Sequence, residues 1–148
     1  MTVRESHVAL NLIKLSVGTQ SVEGLMGWQA DPRAKGPDGY PRHVTRMWPR
    51  REAELLEGGS IYWVIQKLVQ CRQRILRLDE VTGGDGIRRC AIVLDPTLIR
   101  TTTVSRRPFQ GWRYLPGNDA PADLGPARSG DDSLPPELSA ALADIGVL

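Results

Sequence analysis

A chain of 148 residues is long enough for one ordinary domain, burying about two-thirds of the surface its unfolded form exposes, and too short for two. Its net charge of +2 conceals a division: Met1 to Tyr114 carries 18 basic against 11 acidic residues, and Leu115 to Leu148 carries one against six. Cys71 and Cys90 are far apart, with neither CxxC spacing nor histidines at ligand offsets, which excludes a disulfide framework and a zinc site.

In chain order, Val8 to Gly18 is rich in branched apolar residues and ends in glycine, which predicts a well-buried first strand. Asn11 and Lys14 break this run, it falls short of a membrane span, and no small-residue cleavage pattern follows. The expectation is therefore a cytoplasmic protein with reduced thiols and no membrane partner. Ser21 is placed to cap a short helix that runs to Gln29 and stops at Asp31-Pro32. Pro32 to Pro41 holds three prolines and two glycines and reads as a surface loop.

His43 to Trp48 has strand composition and halts at Pro49. Pro49 suits the first position of a helix over Arg50 to Glu57, and Gly58-Gly59 supplies a left-handed stop. Strands follow at Ser60 to Gln66 and Val69 to Val81, the second with a slip in alternation at Ile75-Leu76 that predicts a bulge. Thr82 to Gly86 is a turn. The remaining strands are Arg89 to Leu94, ended by Asp95-Pro96, then Thr101 to Arg106 and Phe109 to Leu115. Six to seven short strands with two short helices predict an α+β fold built as a small mixed β-barrel. The domain spans residues 1–115, an acidic linker rich in Pro and Gly spans 116–136, and an amphipathic helix ends the chain at 137–148.

Chemistry is sparse. Only two histidines are present, and neither GxSxG, GxGxxG nor a Walker loop occurs. Both cysteines read as small buried hydrophobes. No cofactor or metal is implied. The surviving pattern is arginine interleaved with aromatics on strands, since arginine grips phosphate through a planar fork and flat rings stack bases. The candidate ligand-binding residues are Arg46, Trp48, Arg72, Arg74, Arg107, Gln110, Trp112 and Arg113. Alternation places Gln110, Trp112 and Tyr114 on one face of the last strand. Trp63 and Trp112 suit a barrel core equally, and a GC-rich genome yields the same arginine excess without functional demand.

The segments HVTRMWPRR at 43 to 51, GGSIYWVI at 58 to 65, QCRQRIL at 70 to 76, RRCAIVLDP at 88 to 96 and RRPFQGWRYL at 106 to 115 resemble an uncharacterised bacterial family, a domain of unknown function. That resemblance runs from about Val8 to Leu124 and implies no activity. A short helix rich in Arg and Glu, a glycine pair and two strands are also similar to the core of PUA-like barrels, including the ASCH and EVE groups. This likeness implies a β-barrel binding RNA or modified nucleobases in a cleft of aromatic and polar side chains, although Ser60 stands where those groups usually carry an acid.

Three functions follow as expectations. The first is a non-catalytic module for RNA, DNA or a nucleotide. The second is a small enzyme acting on a nucleotide or other anionic metabolite, with His43 and Asp95 as acid and base. The third is an interaction module whose acidic tail covers its own basic face or a partner's.

Overall fold

A computed structural model describes residues 9–124. The expected C-terminal helix and most of the acidic linker lie outside the described residues. The strands are β1 (Asn11–Leu15), β2 (Arg42–Thr45), β3 (Ser60–Ile65), β4 (Leu68–Thr82), β5 (Arg88–Ser105) and β6 (Trp112–Leu115). Two α-helices, α1 (Val22–Ala30) and α2 (Glu52–Leu55), lie in the β1–β3 crossover. The strands form one mixed sheet in the order β2-β5-β4-β3-β1-β6, parallel at β1–β3 and antiparallel elsewhere.

Local chemistry accounts for the helix ends. The Ser21 side chain accepts from the Gly24 N–H at 2.9 Å, which caps α1, and Asp31-Pro32 stops it. Val22, Leu25 and Gln29, spaced along one stripe, are its buried positions. α2 is shorter than expected, a single turn after Pro49, and Gly58 ends it at φ +95. Gly59 has no room for a side chain: a Cβ there would sit 2.3 Å from the Leu10 carbonyl oxygen and 2.5 Å from that of Leu55.

The predicted break at Asp95-Pro96 does not end a strand. β5 runs through it, because the β4 ladder is interrupted there: Gln73 faces Leu98 and Ile75 faces Leu94, so four steps on β5 meet two on β4. Proline is tolerated where no ladder hydrogen bond is required of it. The bulge predicted beside Leu76 is present, with Ile75 and Arg77 facing the adjacent Leu94 and Val93. These irregularities bend the β4–β5 ribbon sharply.

Bending curls the sheet. A flat sheet would hold β2 and β3 three strand spacings apart, roughly 14 Å. Instead the rings of His43 on β2 and Trp63 on β3 meet edge to face at 6.1 Å. The expected barrel is nevertheless not closed, because β2 and β6 remain the two edges and no strand ladder joins them. Side chains seal the seam instead. The Trp112 indole N–H donates to the Met47 carbonyl at 2.8 Å, and the Tyr114 hydroxyl accepts from the Arg50 and Arg51 N–H groups at 2.9 and 3.0 Å.

The inner face of the curl carries the main core: Leu12, Ile61, Trp63, Ile65, Cys71, Ile75, Cys90, Ile92, Leu94 and Trp112, closed by Val22 and Leu25 of α1 and Leu55 of α2. Ile13, Tyr62, Val64, Val69 and Leu115 form a smaller cluster on the outer face. Both cysteine thiols are buried and unpaired, and burial pushes each up to about 12, leaving them protonated at neutral pH. No described helix is long and apolar enough to cross a membrane.

Candidate functional site

Strand alternation sets the site. Lys14 shares a face with Leu12 and pairs with Trp112 across β1–β6, so this lysine sits on the inner face of the sheet. Next to it is a cavity of about 170 Å³, lined by the end of β1 and the residues after it (Lys14 to Val17 and Thr19), by Leu25, Trp28 and Gln29 of α1, by Arg42 and His43 of β2, and by Trp63 and Leu94. Drug-sized ligands occupy ~300–1,000 Å³ pockets, so this one suits a single flat ring system.

Its electrostatics are one-sided. Lys14 is the cationic side chain that faces it and no carboxylate lines it, whereas Arg42, paired with Val93 beside Arg77, projects from the opposite face of β2 to His43. Among the described residues Lys14 donates only to the Leu15 carbonyl, at 3.3 Å, and burial lowers its pKa. Arg42 spends one end of its guanidinium on Asp38 at 2.9 Å, while its Nε–H is buried without a partner among the described residues. The Ser16 and Thr19 hydroxyls share a hydrogen bond at 2.5 Å. Trp28 is half-exposed at the rim, with the Arg33 guanidinium 5.3 Å from its ring centroid.

The back wall is an amide network whose orientation follows from its ends. The Trp63 indole N–H only donates and the Asp95 carbonyl only accepts, so the Gln73 oxygen must face Trp63 (3.1 Å) and its nitrogen Asp95 (2.8 Å). Gln29 then pairs with Gln73 in both directions, at 2.9 and 2.6 Å. Every hydrogen-bonding capacity of Gln73 is used.

His43 is lowered to about 4, chiefly by burial and secondarily by the Lys14 charge, so it is neutral at pH 7. The folded state resists protonation that the unfolded chain accepts near its ordinary value of 6.5. Stability from this group is therefore complete above pH 6.5 and lost progressively as pH falls toward 4. Urea unfolding of the protein and of His43→Gln from pH 8 to 4 should show a smaller acid-side decline for the variant; parallel curves would remove His43 from the account.

The sequence-derived candidates do not converge. Arg72 lies on the outer face, bound to Asp123, and lines a different groove. Trp112 is buried with its N–H engaged by Met47. Trp48 is half-buried against the core with the Arg88 guanidinium 6.0 Å from its ring, and Arg113 stacks over Phe109 at 5.3 Å. Arg46, Arg74, Arg107 and Gln110 are exposed, and none of the eight lines the inner cavity. Sequence reasoning passed over Lys14, Ser16, Thr19, Gln29 and Arg42 there. The available signal was Lys14, a charge at a core-facing position of an otherwise apolar strand. Asp95, the other acid-base candidate, accepts from the Thr97 N–H at 2.8 Å two residues along β5 and is not a wall of the cavity.

Among the described residues, no group of three His, Cys, Asp or Glu side chains is arranged to hold a metal. The fold and cavity define a class: a small α+β protein whose curled, open mixed sheet encloses one cationic, indole-walled cavity. The chain belongs to the family described as "Protein of unknown function (DUF1489)", whose profile matches residues 12–148 and so takes in the acidic C-terminal segment as well as the sheet. No curated protein and no solved structure matches it.

Proposed function

We propose that this chain is a non-catalytic binding module for a nucleotide or for a base presented by RNA or DNA, with the base seated in the inner cavity. The observation that carries this reading is the cavity wall: Lys14, with no carboxylate beside it among the described residues, flanked by the indoles of Trp28 and Trp63. A half-buried cation without a counterion, as Lys14 is among the described residues, is costly to the folded state, and an anionic ligand would relieve that cost. The indoles offer flat surfaces for stacking, and neutral His43 and the Ser16 and Thr19 hydroxyls offer both donors and acceptors. Arg46, Arg50, Arg106 and Arg107 have no carboxylate partner among the described residues and would hold the phosphates of a longer strand.

Tryptophan fluorescence during titration with mononucleotides and short RNA and DNA, at two salt concentrations, tests this. Base-dependent quenching is expected. Trp28→Ala should weaken binding by about 1–3 kcal/mol, the usual worth of one stacked base, without unfolding a rim residue. Lys14→Met should abolish most binding while leaving the protein at least as stable, because an apolar chain replaces a half-buried amine. Flat titrations, or wild-type affinity in Lys14→Met, would overturn the proposal.

A further inference from the structure

The outer face of the sheet carries a second, larger feature. A groove of about 320 Å³ has Asn11 of β1, Ser60 and Tyr62 of β3 and Arg72 of β4 as its floor, and the segment Gly117 to Asp123 as one wall. That segment is the start of the acidic C-terminal stretch. It is held by a few contacts: the Thr102 N–H donates to the Ala122 carbonyl at 2.8 Å, the Leu124 N–H donates to the Arg100 carbonyl at 2.9 Å, and Ala120 packs on the outer cluster.

The ion pair that ends the segment has the form of a ligand complex. Arg72 presents its Nε–H and one Nη–H side by side to the two oxygens of Asp123, at 2.7 and 2.8 Å. Its other Nη–H donates to the Ser60 hydroxyl at 2.9 Å. Ser60 therefore gives the guanidinium a second anchor that does not depend on Asp123. Arg74 stands two residues along β4 on the same face, exposed and without a carboxylate partner among the described residues. Parallel N–H groups of this kind fit phosphate as well as carboxylate. Asp123 is 42% exposed in its side chain, so the pair is partly screened by water and open to competition from an anion in solution.

We infer that Arg72, Arg74 and Ser60 form a phosphate-binding site on the outer face, and that Asp123 occupies it as an intramolecular stand-in which a phosphate group must displace. The site is separate from the inner cavity and needs no base, so it is tested with a ligand that has none. Pyrophosphate is titrated calorimetrically into the full chain and into Asp123→Asn, Arg72→Gln, Arg72→Gln/Asp123→Asn and Lys14→Met. Asp123→Asn, which keeps the backbone contacts of the segment, should bind about threefold to tenfold more tightly than the wild type, since it removes both a competitor and a like charge. Arg72→Gln should bind more weakly, the double variant should show none of the gain, and Lys14→Met should keep the wild-type affinity. Equal affinity in wild type and Asp123→Asn, or a gain that survives Arg72→Gln, overturns the inference. Loss of pyrophosphate binding in Lys14→Met would place the phosphate in the inner cavity and overturn it as well. Failure of base-dependent quenching bears on the inner cavity alone. A thermal unfolding midpoint measured for each variant confirms that the compared proteins are folded.

Discussion

Trp112→Ala is expected to destabilise the protein by about 3–5 kcal/mol, the range for deleting a buried large aromatic, rather than to act on binding alone. The side chain is 7% exposed and lies in the main core, and its ring meets Tyr114 edge to face at 5.0 Å. It also ties the open edge of β6 to the segment after β2 through the Met47 carbonyl, so removing it uncouples the two edges of the curl. Urea unfolding gives the measurement. Trp112→Phe separates the two contributions, retaining most of the packing while leaving the Met47 carbonyl unpaired, for about 1–3 kcal/mol. If Trp112→Ala unfolds at the wild-type urea midpoint, the seam does not hold the sheet in its curl, and Trp112 reverts to the ligand-contacting role read from the sequence.

The second large effect concerns Gln73. It is 0% exposed, and its amide satisfies Gln29, Trp63 and the Asp95 carbonyl together. Gln73→Leu keeps the volume but strands several buried polar groups, each worth about 1–3 kcal/mol when left without a partner, so a total near 3–5 kcal/mol is expected after partial relaxation. The expectation for Gln29→Leu/Gln73→Leu is the more discriminating one. Removing both amides leaves fewer orphans than removing one, so the double variant should be more stable than Gln73→Leu alone. Additive losses in the cycle would show that the two amides do not depend on each other. Because Gln29 is a wall of the inner cavity, the same double variant should bind nucleotide more weakly in spite of its recovered stability.

Much of the fold was legible because it rests on local signals. The Ser21 cap, the stop at Asp31-Pro32, the left-handed Gly58 and the Ile75-Leu76 bulge each depend on the preferences of a few neighbouring residues. Asp95-Pro96 misled for the complementary reason. A proline breaks a strand where the ladder demands its N–H, and whether it does depends on how β4 is registered against β5, a pairing between residues 19 to 25 positions apart.

The candidate site divides along the same line. Arginine and aromatic residues on alternating strand positions were visible, and their faces followed from period two. Their partners were not visible: Arg72 meets Asp123 from 51 residues away, and Trp112 meets Met47 from 65. A side chain's availability for a ligand depends on whether the rest of the chain has already engaged it.

By itself, then, the sequence determined the class of fold, the element order, most helix ends and the separation of a basic body from an acidic C-terminal stretch, because composition and short-range propensity carry those properties. Tertiary structure alone decided that the sheet curls without closing, that Lys14 faces a carboxylate-free cavity with Trp28 and Trp63, and that Asp123 returns to Arg72. Each of these depends on the accumulated bend of the β4–β5 ribbon and on contacts between distant residues, and neither is encoded in any short window of the chain.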